Sequence, residues 1–126
     1  MKTKVVNINY VKPDVYIGRE SSSSKIRAAY GDLPGMDGGF GNPITTRFPC
    51  ELCKQVHKTP VSTLHCYRSY FINRVSTDIH FRTAVLNLHG LTLGCFCVDA
   101  DGRGRCHGII MASWIDGQFP EPLVLT

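Results

Sequence analysis

The last third of the chain places four potential metal ligands close together. Cys95, Cys97, Cys106 and His107 fall within thirteen residues. The alternating run 91–98 predicts a short, largely buried strand, on which Cys95 and Cys97 share a face. The helical spacing that follows puts Cys106 and His107 at a helix start, where the helix dipole favours a thiolate. Three thiolates and one imidazole form a closed tetrahedral set typical of structural zinc.

Two other interpretations of these cysteines stay open. Cysteine is among the most often buried residues, so a Cys-x-Cys strand can be core packing alone. A reactive pair would instead use Cys97 or Cys106 as a nucleophile with His107 as its base. Adjacent residues seldom aim their side chains at each other, which disfavours this second possibility.

Composition narrows the class of protein. At 126 residues the chain suits one domain, and 43% hydrophobic with 19% charged residues excludes a wholly disordered chain. Neither a membrane-length apolar run nor a signal-peptide stretch is present, so we expect a cytoplasmic protein. Six cysteines in a reducing compartment indicate metal binding or buried thiols rather than disulfides. The net charge of +4 suits anionic partners, although no Lys/Arg cluster accompanies it.

The order of the patterns predicts an α/β fold. We expect a small single domain, 1–126, with a short mixed sheet and about three helices, stabilised by zinc. The other predicted elements are strands at 5–10 and 15–17 and helices at about 62–75 and 77–89, the second capped by Ser76 and ended by Gly90. Aromatic residues at helical spacing in the first of these helices predict core rather than a surface for stacking bases. We expect a mobile Gly/Ser-rich loop at 20–42 and a Cys-x-x-Cys knuckle at 48–60.

Gly18 and Arg19 follow the second predicted strand, at a position where α/β proteins often hold a ligand. Arg19 is a candidate anion contact; alternatively, it ties the next loop to the domain. Gly41 and Asn42 end the glycine-rich segment, whose N–H groups can face an anion. That segment lacks the P-loop lysine and the dinucleotide spacing. The predicted ligand-binding residues are Gly18, Arg19, Gly41 and Asn42.

A second zinc site is predicted at the Cys-x-x-Cys knuckle. Cys50 and Cys53 need two further ligands from His57, His65 and Cys66, of which Cys66 and His57 are our candidates. A zinc deaminase also needs a His-x-Glu element, which the sequence lacks. A thioredoxin-like pair is disfavoured because Pro49 interrupts the approach to the knuckle.

Short motifs along nearly the whole chain resemble a known family. They are Val15-Tyr-Ile-Gly-Arg19, Gly41-Asn-Pro43, Cys66-Tyr-Arg68 with Tyr70, Leu88-His-Gly-Leu-Thr-Leu93, Cys95-Phe-Cys97 and Cys106-His-Gly108. In combination they resemble domain-of-unknown-function family 4326, common in phages and actinobacteria. The resemblance implies a phage or prophage origin, hence the host cytoplasm, and a compact α/β fold, without an established activity.

This chain departs from the family pattern at three places. The connection between Cys97 and Cys106 is longer than usual, and Ile109 stands where the family has an aspartate. The knuckle around Cys50 and Cys53 resembles an insertion that many relatives lack.

Three functions follow as hypotheses. The first is a phage-type, zinc-binding protein that binds a nucleotide or a nucleic acid. The second is a nucleotide-processing enzyme, a hydrolase or transferase, that uses Arg19 and Asn42, although no convincing carboxylate pair or Ser/His/Asp set supports it. The third is a phage protein that binds and modulates a host protein, with zinc only as scaffold.

Overall fold

The computed structural model describes residues 2–18, 40–44, 46–59, 61–95 and 106–120. Arg19, Cys97 and most of the predicted loop 20–42 lie outside these residues. The connection between Cys97 and Cys106, which is longer than the resemblance led us to expect, lies outside them as well.

Three short strands form the described sheet. They are β1 (Lys4–Asn7), β2 (Val15–Tyr16) and β3 (Thr92–Cys95). β3 lies in the centre, and both outer strands pair with it in parallel. The α/β class is therefore confirmed, but these three strands make a parallel sheet where we expected a mixed one. Because all three run the same way, their carboxyl ends meet at one edge, close to Asn7, Ile17 and Cys95.

The connection from β1 to β2 crosses one face of the sheet at Gly94. A Cβ on Gly94 would overlap the side chains of Ile8 and Pro13. Asp14 fastens the end of this connection to β3, because its backbone and its carboxylate both bond the main chain of Thr92 at 2.8 Å. The absent side chain of Gly94 thus allows a short loop to link two parallel strands.

Three helices are described, as predicted. They are α1 (Leu64–Thr77), α2 (Ile79–Leu86) and α3 (His107–Gln118), and a 3-10 turn (Val61–Thr63) leads into α1. The cap of α2 is Asp78, whose carboxylate accepts the N–H groups of His80 and Phe81 at 3.1 Å. The prediction that Ser76 caps this helix is wrong, because its hydroxyl donates to the Ile72 carbonyl within α1. Gly90 has φ 78°, which lets the chain turn from α2 into β3.

Aromatic side chains of α1 form the centre of the core. Tyr67, Phe71 and Val75 are buried, so the prediction that the stripe is core is confirmed. Phe71 makes edge-on contacts with Phe81 at 6.0 Å and Trp114 at 5.7 Å between ring centroids. These contacts tie all three helices together.

Candidate metal site

The Cys-x-x-Cys segment forms a tight turn held by its own backbone. The N–H of Lys54 donates to the Cys50 carbonyl at 2.8 Å, and the N–H of Cys50 donates to the Gln55 carbonyl at 2.8 Å. Lys54 has φ 66°, a left-handed conformation that is uncommon outside glycine. The turn therefore places Cys50 and Cys53 on the same side of the loop.

Four side chains converge at this turn. The donor atoms of Cys50, Cys53, His57 and Cys66 all lie within 4.8 Å of one another. Cys53 Sγ is 3.5 Å from His57 Nε2. Ideal tetrahedral zinc bonds put a sulfur and a nitrogen about 3.6 Å apart, and two sulfurs about 3.8 Å apart. The four residues can therefore hold one tetrahedral metal ion after small side-chain adjustments.

The structure brings together the four knuckle ligands that the sequence named as candidates. His57 and Cys66 complete the group, while His65 is exposed and borders a groove on α1. Cys66 is buried in the first turn of α1, so it links the loop to the helical core. The sequence did not reveal the left-handed residue of the turn, because lysine stands where glycine would have signalled it.

The thiols of this group differ in how easily they lose a proton. The pKa of the Cys50 thiol is lowered from 9.0 to about 6, mainly because the backbone N–H of Cys53 donates a hydrogen bond to its sulfur. Burial, reinforced by the neighbouring thiols of Cys50 and Cys53, raises the pKa of Cys66 to about 11. Metal ligands must be deprotonated, and a bound cation would offset the repulsion among three adjacent thiolates.

The C-terminal cluster is partly assembled at the carboxyl edge of the sheet. Cys95 Sγ lies 2.9 Å from Cys106 Sγ, and His107 Nδ1 lies 3.6 Å from Cys106 Sγ. His107 Nε2 lies 2.8 Å from the Ile17 carbonyl oxygen, and since that oxygen only accepts, Nε2 carries a proton and donates it. Within the described residues, only the knuckle brings three or more such donors together. Cys97 lies outside them, so a metal at this edge stays a prediction.

The predicted ligand-binding residues have structural partners. The buried Asn42 donates from Nδ2 to Thr63 Oγ1 and accepts the Ile44 N–H at Oδ1, both at 2.9 Å. Its amide therefore holds the segment around Gly41 against the start of α1. Gly18 is buried, and any side chain there would overlap the ring of Tyr16. Ligand binding by these residues and by Arg19 stays a prediction.

Comparisons with known proteins identify a family. Searches of the curated proteins and of the solved structures find no match. No helix in the described part of the chain has the length and apolar character to cross a bilayer. Residues 2–117 match the family described as "Domain of unknown function (DUF4326)". The match covers most of the chain, which therefore belongs to the DUF4326 family, as the motifs indicated.

Proposed function

We propose that the protein binds one zinc ion at Cys50, Cys53, His57 and Cys66. The observation that carries this proposal is the convergence of their four donor atoms within 4.8 Å. Three thiolates and one imidazole suit zinc, whereas magnesium and calcium take oxygen ligands. Since the protein supplies all four ligands, the ion has no open position for a substrate and serves structure rather than catalysis.

Zinc would hold the knuckle loop to the rest of the domain. Among the described residues 46–59, Cys50 is the one buried side chain. So little burial contributes almost no hydrophobic stabilisation to fix the loop. A metal bonded to three loop residues and to Cys66 of α1 replaces the missing core.

The ligand of this zinc-stabilised domain is, in our proposal, a nucleotide or a nucleic acid. The net charge of +4 favours an anionic partner. Gly18 and Arg19 follow β2 at the carboxyl edge of a parallel sheet, where open α/β sheets commonly bind ligands. The enzyme hypothesis has less support, because the Asn42 amide already bonds Thr63 and Ile44. The phage origin and the host cytoplasm stay predictions.

A thermal-shift titration tests both parts of the proposal. Zinc added to chelator-treated protein is expected to raise Tm, because a ligand at 100 times its Kd stabilises the folded state by about 2.7 kcal/mol. Magnesium is the matched control and should leave Tm unchanged. The zinc-loaded protein is then titrated with nucleoside mono-, di- and triphosphates and with short oligonucleotides, alongside Arg19→Ala.

Each result of the titration has a definite meaning. An equal response to zinc and magnesium would contradict the metal site. A rise in Tm with nucleotides or oligonucleotides supports the ligand class, and its loss in Arg19→Ala would place the ligand at the strand ends. Turnover of a stabilising nucleotide would favour the enzyme. No response to any of them would contradict the ligand class and favour a host-protein partner.

A further inference from the structure

The positive charge of the chain is concentrated in one segment. Residues 46–76 contain five of the fourteen lysines and arginines but one of the ten acidic residues, Glu51. The remainder therefore carries nine of each and is neutral, and one of its acidic residues, Asp78, lies 3.8 Å from Arg74. This segment consists of the knuckle loop and most of α1, which Cys66 joins through the candidate metal site. The excess charge is spread along the sequence rather than in a run, so inspection for basic runs does not find it.

The knuckle exposes large apolar side chains between its cations. Phe48 is 69% exposed, Leu52 53% and Val56 50%. Arg47, Lys54 and Lys58 are exposed on the same loop. Lysine is depleted at protein–protein interfaces, whereas aromatic rings beside cations are typical of surfaces that bind single-stranded nucleic acid.

A cavity between the knuckle and α1 has room for a nucleobase. Its volume is about 360 Å³, and its walls include Phe48, Leu52, Ile44 and Tyr70. Tyr70 is fixed by a hydrogen bond of 2.8 Å from Arg74 to its hydroxyl group. Aromatic, aliphatic and proline side chains make this a mostly apolar site for a flat ring, and Glu51 is the one acidic residue in its lining.

A groove runs along the exposed face of α1, from His65 to Ser76. Its volume is about 570 Å³, and His65, Arg68, Ser69 and Asn73 are among its lining residues. His65 directly precedes the ligand Cys66. Ile72 also lines the groove, and the arginine, imidazole, hydroxyl and amide groups around it can bond phosphates and sugars.

We propose that single-stranded nucleic acid binds across the knuckle and α1. One base stacks on Phe48 in the cavity beside Tyr70, Lys54 and Lys58 contact phosphates, and the backbone continues toward Arg68. The base must leave its duplex to reach the cavity, so a double strand binds less well. This inference rests on the zinc part of the proposed function, because zinc holds the loop that carries Phe48 and both lysines. It places the nucleic acid on the knuckle and α1 rather than at the strand ends beside Arg19.

Fluorescence anisotropy with labelled single-stranded DNA and RNA of about twenty nucleotides tests the proposal on zinc-loaded protein. Phe48→Ala removes the stacking ring, so Kd should rise roughly 5- to 150-fold. The binding constant falls as the salt concentration rises, and each phosphate contact contributes about 0.7 to the steepness of that fall on logarithmic axes. The double variant Lys54→Ala/Lys58→Ala should therefore make the fall less steep by about 1.4. The DNA and RNA arms show whether the 2′-hydroxyl matters, and a duplex of the same sequence should compete poorly.

The chain supplies matched controls away from this surface. Tyr10 is 68% exposed, almost the same as Phe48, and lies on the connection between β1 and β2. Lys4 and Lys12 are exposed cations on the N-terminal part. Tyr10→Ala and the double variant Lys4→Ala/Lys12→Ala should leave Kd and the salt slope near those of the unaltered protein.

Three results would overturn this inference. They are no binding of any single strand by protein that contains zinc, tighter binding of the duplex, and equal effects of the knuckle and control variants. Metal content measured on the same samples separates the two proposals. Protein that contains zinc but binds no nucleic acid would contradict this inference alone. Protein that neither retains zinc nor binds nucleic acid would contradict the metal site.

Discussion

Cys53→Ser is expected to abolish the stabilisation of the protein by zinc. Cys53 is exposed, so the substitution removes little packing, and an ordinary surface change shifts the free energy of unfolding by about 0.5 kcal/mol or less. A structural zinc site is much stronger, with apparent binding free energies of about 10–16 kcal/mol in small zinc domains. A large loss of stability on substitution of an exposed cysteine therefore indicates that a metal ligand has been removed.

The measurement is the Tm of each variant with zinc and with a chelator. The unaltered protein should show a large difference between the two conditions, and Cys53→Ser should show almost none. Glu51→Gln is the matched control, because Glu51 is exposed in the same turn and does not belong to the ligand group. A zinc response in Cys53→Ser equal to that of the control would contradict the assignment of Cys53.

Phe71→Ala should cause the largest loss of stability among changes away from the metal site. Phe71 is fully buried and contacts Tyr67, Phe81 and Trp114, so its removal leaves a cavity where three helices meet. Truncation of a buried Phe costs about 3–5 kcal/mol. For a chain of this size such a loss lowers Tm by roughly 10–20 °C.

Urea unfolding of the zinc-loaded protein measures this effect. The neighbouring Ile72→Ala is the control, because Ile72 is 42% exposed and should cost far less. If the two variants lost similar stability, the packing of α1 described above would be wrong.

The sequence predicts the fold class well because its apolar pattern is regular. The spacing of Tyr67, Phe71 and Val75 gives both the helix and its buried face. The direction of the strands is harder to predict, since four or fewer residues per strand carry no sign of parallel or antiparallel pairing. The path of the link between β1 and β2 is also not evident from the sequence. It depends on a contact between Gly94 and Pro13, which lie far apart in the chain.

The sequence named the four residues of the candidate site, but it could not exclude His65 as a ligand. Cys-x-x-Cys spacing identifies Cys50 and Cys53, whereas the choice of His57 over His65 depends on how the loop meets α1. Helix periodicity alone does not reveal that Cys66 points toward the loop. Asn42 shows the converse: a polar residue after a glycine-rich segment suggests a ligand contact, yet its amide bonds Thr63.

Reaction of Cys53 with a maleimide, followed by peptide mass mapping, tests the zinc site most directly. Of the five described cysteines, Cys53 is the exposed one, so its thiol is accessible to the reagent under reducing conditions unless it binds a metal. We expect Cys53 to stay unmodified in protein that contains zinc and to react rapidly once a chelator removes the ion. Equally rapid modification of Cys53 in the two samples would contradict the metal site.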